Sequence, residues 1–318
     1  MSLLEIALRS LAALAAVLVL PLVAGQTEHK VMAHMQGRLG PMYAGGYHGW
    51  AQLIADGVKF VQKEDITPAA ADRHVFRIAP AIALVPYVIA IALLPIHPGV
   101  AAAEVPASLL LVVAVIGVGV LGTLMAGWAS ANKYALIGGM RSAAQLIAYE
   151  LPLVLSVASV AMAAGTLSLA AVVEAWSPWW LVWQLPGAIV FLVAATAELQ
   201  RTPFDAPIAD SEVVMGPWTE YTGLRFAFFM LAEYAGMVVM GLLFAVLWLG
   251  GWQGPFADHL GWLWTLLKGS LVVLLVIWMR VSWPRLREDQ LQRLAWTVLV
   301  PLALAQLALT AVVVVVTA

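Results

Sequence analysis

Eight apolar stretches, each near the roughly 20 residues a helix needs to cross a bilayer, recur along this chain between short polar segments. No other feature restricts the fold as much. Inside hydrocarbon every backbone N–H and C=O must find its partner within the protein, so such stretches become helices. They lie at 4–25, 77–97, 107–129, 142–164, 179–198, 225–250, 261–281 and 295–317. The expectation is an all-α integral membrane protein, with eight transmembrane helices in a single membrane domain over residues 1–318. Only 11% of residues are charged, against about a quarter in a soluble domain, and this excludes a water-soluble fold.

The connections are of two kinds. Segments 26–76, 130–141, 199–225 and 280–294 carry nearly all of the Lys and Arg. Segments 98–106, 165–178 and 251–260 carry none, their only charges being Glu104, Glu174 and Asp258. Basic residues accumulate on the cytoplasmic side, which predicts the first set inside and both termini outside. Ala24-Gly25 closes an apolar run as a secretory leader would, but Glu5 precedes Arg9 and Lys30 follows the run, so the first stretch reads as a span. With no Cys, the chain has no thiolate for an iron–sulfur cluster, and any redox centre belongs to a partner. Six His without ligand spacing imply no metal site. A net charge of −2 does not suggest nucleic acid as a partner.

The cytoplasmic side holds most of the chemistry. Over about 49–63, Trp50, Leu53, Ile54, Val58 and Val61 recur at helical spacing, with Gln52, Asp56, Lys59 and Lys63 opposite, which predicts an amphipathic helix on the membrane surface or against a partner. Upstream, the Gly- and Pro-rich QGRLGPMYAGGY has neither the P-loop nor the GxGxxG spacing and reads as a shaped loop. The loop 199–224 is acidic where a basic one is expected. Glu198, Asp205, Asp210, Glu212 and Glu220 face only Arg201 and Arg225, and Phe204, Val213, Val214, Met215 and Trp218 lie among them. That mixture suggests burial beneath another subunit.

Two carboxylates fall within spans, Glu150 and Glu233. An acid in hydrocarbon costs several kcal/mol unless it is paired, protonated or hydrated, which makes both candidates for proton handling. Glu150 is near the inner end of its helix, where pairing with Arg141 is an alternative. Arg141, Gln145 and Tyr149 step by four along one face and read either as a polar stripe leading to Glu150 or as a hydrogen-bonded helix seam. Lys268 has no sequence-local partner and is expected to reach outward.

Five segments, in order, resemble the H-subunit family of NADH–quinone oxidoreductase, respiratory complex I. They are TEHKVMAHMQGRLGP, LIADGVKFVQKEDITPAAADR, GWASANKYALIGGMRSAAQLIAYELP, AELQRTPFDAPIADSEVVMGPWTEYTGLRFAFFMLAEY and PRLREDQLQRLAW. The resemblance implies a translocase subunit in a bacterial cell membrane, with quinone as substrate and with iron–sulfur and flavin groups only in partners. Those partners would be peripheral-arm subunits on the cytoplasmic face and small and antiporter-like subunits in the membrane. It implies a proton path through Glu150, Glu198, Glu212, Glu220 and Glu233. It also implies a quinone tunnel and junction at Glu28, Lys30, Gln36, Arg38, Asp56, Lys59, Asp65, Arg201, Phe204 and Asp205. A related membrane anchor of an energy-converting hydrogenase or formate hydrogenlyase is the alternative. The chain departs from the family pattern at His29, Met42, Leu199-Gln200 and Asp210, and has Gly117 and Gly119 where some relatives carry an acid, as in a divergent or second-copy version.

Overall fold

The computed structural model describes residues 3–98 and 105–317, apart from the side chains of residues 3–7, Asp210 and Ser211; Glu104 and the Asp210 carboxyl therefore lie outside the described residues. The elements are α1 (Leu3–Met35), α2 (Gln52–Gln62), α3 (Arg73–Leu93), α4 (Ser108–Ala129), α5 (Lys133–Ala164), α6 (Leu169–Ala175), α7 (Trp180–Trp183), α8 (Leu185–Glu198), α9 (Asp210–Val213), α10 (Gly223–Trp248), α11 (Ala257–Ser282), α12 (Glu288–Leu294) and α13 (Val300–Thr317). Among the described residues there is no strand, and seven helices are long and apolar enough to cross a membrane. The chain is a multi-pass helical membrane protein.

Helix ends follow local chemistry. Asp72 opens α3 by accepting from the backbone N–H of His74 and Val75 at 3.1 and 3.3 Å, and Asn132 opens α5 by accepting from Tyr134 N–H at 2.8 Å. Each side chain satisfies donors that have no partner within the helix. The last long helix contains a π-turn at Ala295–Leu299 just ahead of Pro301. Proline removes an N–H and crowds the carbonyl four residues back, and the wider turn accommodates it.

The helix that carries the first expected span runs on past residue 25 to Met35, where Glu28 and Lys30 find partners. One expectation needs correction. The expected span 179–198 is not one helix but α7 and α8, and α8 alone has 14 residues. Pro186 stands in the first turn of α8, and its ring excludes a helical carbonyl at Val182. At the break, Gln184 is fully buried, accepts from Ser159 Oγ and Gln306 Nε2 at 3.1 Å each, and donates to Thr310 Oγ1 at 3.3 Å.

Helix α10 is the axis of the bundle, 72% buried along its most apolar window, against 22% for the first and last spans. It packs on α3, α11 and α1, while α5 packs on α4, α8 and α13. Phe191, Phe244 and Trp248 form the aromatic contact between α8 and α10, with ring centroids 4.9 to 6.1 Å apart. Helix α2 lies against α10 and α1. Leu53 and Phe60 turn inward and Trp50, Ile54, Val58 and Val61 stay exposed.

Candidate functional site

Four charged side chains from four parts of the chain meet beside α10. Glu28 of α1 accepts from Arg201 through one carboxylate oxygen and from Arg280 of α11 through the other. Arg201 Nη2 lies 2.9 Å from Glu233 Oε1 of α10, and its guanidinium sits 4.8 Å from the centre of the Tyr234 ring. Glu28 and Arg201 are 1% and 2% exposed, so these charges have given up water. Two cations and two anions balance, which is the condition under which buried ions are tolerated. Burial alone would favour loss of the Arg201 proton, but the charges of Glu233 and Glu28 outweigh it and raise its pKa.

Beside this cluster, Glu198 at the end of α8 is buried with neither carboxylate oxygen bonded to protein. It lines a cavity of about 40 Å³ together with Tyr87, Gly119, Thr123, Gln200 and Glu233. Glu150 is close enough to interact with Glu198 electrostatically, and it faces Gly117 of α4, where a Cβ would stand 2.9 Å from Glu150 Oε1. Glycine here makes room for a carboxyl.

On the opposite side of α10, a groove of about 330 Å³ opens between α1, α2 and α10. Leu18, Leu22, Leu53, Phe60 and Phe228 make its walls apolar, and Asp56 and Tyr234 are its polar members. Because Tyr234 also covers Arg201, the groove ends against the ion cluster. Partial burial pushes Asp56 up, but hydrogen bonds and charge from Lys59, 2.7 Å away, hold it below the usual carboxylate range.

The acidic loop is fastened to α5 through its backbone. Gln145 Nε2 donates to the carbonyls of Ala197 and Phe204 at 2.6 and 2.8 Å, and Tyr149 Oη donates to Leu291 O at 2.9 Å. The Arg141–Gln145–Tyr149 stripe is therefore a hydrogen-bonded seam, made to loop and α12 backbone. Arg141 pairs with Glu212 at 2.5 Å and not with Glu150. Glu212 is half exposed on the acidic loop, and Arg141 holds its carboxyl below the usual range. Glu220 accepts from Asn132 Nδ2 at 2.6 Å. Phe204 is buried against the Tyr149 ring, and Asp205 pairs with Arg285 at 3.1 Å. Gly216 has φ +54° and any Cβ there would collide with the Pro207 carbonyl, so this turn requires glycine.

The structure thus brings Glu28, Arg201 and Glu233 into one cluster, with Glu198 and Glu150 beyond it. Lys30 instead donates to Pro41 O and Met42 Sδ, Arg38 to Gln36 at 2.9 Å, and Arg225 pairs with Asp65 at 2.9 Å. Sequence reasoning passes over Arg280, Tyr234 and Tyr87. In the sequence Arg280 is only part of a basic flank. Its place beside Trp278 and Trp283 at a span end is a signal of depth, but nothing local points to Glu28.

Fold and site together define a polytopic helical membrane protein with a balanced buried ion cluster, an apolar groove on one side and, on the other, a buried Glu198 without a hydrogen-bond partner. The NADH dehydrogenase family model matches residues 8–311. A curated protein of Geobacillus kaustophilus, named as the H subunit of NADH-quinone oxidoreductase, is 48% identical over 291 residues, 90% of this chain and 87% of that protein. One of the same name from Anoxybacillus flavithermus is 49% identical over 289 residues, with the same shares covered. The chain belongs to the H-subunit family of NADH–quinone oxidoreductase.

Proposed function

We propose that this chain works as the membrane subunit of a proton-pumping NADH–quinone oxidoreductase that joins the quinone site to the proton path. The observation that carries the reading is the Glu28–Arg201–Glu233–Arg280 cluster, set between an apolar groove and a cavity holding Glu198. A quinone tail suits the groove walls of Leu18, Leu22 and Phe228. A cavity of about 40 Å³ exceeds the roughly 10–15 Å³ needed to admit a water, and its polar lining suits one. Such a water would link Glu198 and Glu233 for proton exchange, with Glu150 as the next acid. Electron-carrying groups reside in partners: peripheral-arm subunits against the 199–224 loop, and antiporter-like subunits beside the bundle.

Coupling in this reading is electrostatic. At an effective dielectric of about 20, two charges 4 Å apart interact by roughly 4 kcal/mol, about three pKa units. A charge change at reduced quinone is thus large enough to move a neighbouring carboxylate across neutral pH. The family's eight crossings are reached by taking α7 and α8 together, the 14 residues of α8 rising roughly 21 Å at 1.5 Å each and α7 extending it beyond the break at Gln184. Helix α2 lies in the interface with Ile54, Val58 and Val61 in lipid, the Lys- and Arg-rich face is cytoplasmic, and the membrane is a bacterial cell membrane.

The test is proton pumping and inhibitor-sensitive quinone reduction by the assembled complex carrying Glu150→Gln or Glu233→Gln. Loss of pumping is expected. Normal assembly with full pumping in both variants overturns the relay.

A further inference from the structure

Helices α1 and α11 diverge on the side of α1 away from α2, leaving a second groove of about 260 Å³ whose floor is Val238 and Leu242 of α10. Its walls are Leu20, Val23 and Thr27 from α1 and Leu266, Ser270 and Leu274 from α11. Val23 and Leu274 are 57% and 37% exposed on the outer rim, so the groove opens sideways from membrane-spanning helices, where acyl chains are the solvent.

What stands at the cytoplasmic end of this groove separates it from a simple packing defect. Arg280 follows Leu266, Gly269 and Val273 along one face of α11, about two turns beyond the groove at 3.6 residues per turn. It gives Nη1 to Glu28 and leaves a third of its side chain exposed. Trp278 and Trp283, 49% and 46% exposed, lie within three residues of it in the sequence and mark its level, since indole rings collect at headgroup depth. A guanidinium keeps donors for phosphate after its first bond is made. An apolar slot that leads along one helix face to a partly exposed guanidinium at the depth of interfacial tryptophans has the chemistry of a phospholipid site.

We propose that the α1–α11 groove binds one anionic phospholipid from the inner leaflet, an acyl chain between Val23 and Leu274 and its phosphate on Arg280. Charge complementarity selects this occupant over a quinone tail, which brings no anion to Arg280. The site goes beyond the quinone and proton reading and does not depend on it.

The test uses the intact complex, purified in mild detergent and examined by native mass spectrometry before and after incubation with phosphatidylglycerol or phosphatidylcholine. The complex is expected to retain one phosphatidylglycerol that phosphatidylcholine and excess long-chain quinone do not displace. Val23→Trp and Leu274→Trp, which fill the groove from its rim, are expected to lose that lipid. Because Leu274→Trp carries the greater packing risk, Val23→Trp at the more exposed position serves as the independent variant. Retention of the same lipid in an assembled Val23→Trp complex overturns the proposal, as does equal retention of the two lipids or displacement by quinone.

Discussion

Arg201 has the most demanding environment of any single residue, a guanidinium 2% exposed that is held by two carboxylates and a tyrosine ring. Removing one partner of a buried ion set costs about 3–5 kcal/mol, because the others stay buried without compensation. Arg201→Met is therefore expected to lower the unfolding temperature of the complex, whereas Arg38→Gln, at an exposed contact with Gln36, leaves it unchanged. Glu212 behaves in the opposite way. Its pKa is lowered in the folded protein, chiefly by the hydrogen bond from Arg141. A lowered folded-state value means that the contribution is complete above the ordinary value of 4.5 and disappears as pH falls through the lowered one. Arg141→Gln is expected to remove this acid-side step, which protease susceptibility of the 199–224 loop between pH 6 and 3 would register (roughly the span set by carboxylate titration). Sequence can mark Glu28, Arg201 and Glu233 as charges in unusual company, but their meeting depends on α1, α10 and α11 packing side by side. Arg280 stays hidden for the same reason, since its partner is 252 positions away.

Among the elements, the long helices are legible because length and apolarity alone require them. Their ends are not, wherever tertiary partners decide the matter. Helix α1 continues past its apolar run, where Glu28 is neutralised from α11 and from the loop after α8. The break between α7 and α8 sits in apolar sequence, and only Pro186 and the buried Gln184 disclose it. The C-terminal end of α10 illustrates how one cation finishes an element. Lys268 of α11 donates to the carbonyls of Leu249, Gly251 and Gln253 at 2.6 to 2.9 Å, closing a helix end that carries the negative pole of the dipole. The outward reach expected of Lys268 thus ends on backbone. Lys268→Met is expected to destabilise the α10–α11 turn by on the order of 2 kcal/mol, detectable as faster amide exchange at residues 249–253, while the ion pairs around Glu28 toward the other end of α10 stay intact.

For the whole molecule, the orientation is open to a direct check, because the chain has no Cys and a single introduced thiol is the only one it carries. Asp258→Cys, ahead of α11, is expected to react with an impermeant maleimide in intact cells, and Lys63→Cys, after α2, only in inverted vesicles. The reverse pattern would invert the topology. The buried cluster adds a constraint of time to this constraint of space. Glu28 leaves the ribosome 252 residues before Arg280 and 173 before Arg201, an interval of roughly 10–50 s at ordinary rates of synthesis for the longer gap. Throughout that interval a carboxyl that is 1% exposed in the finished protein lacks its full set of cations. Until α11 arrives to complete its neutralisation, this carboxyl needs a proton or water in place of its missing cation. A chain arrested before Arg280 would thus display an unsatisfied acid, by which a membrane protease could tell an unfinished copy from a complete one.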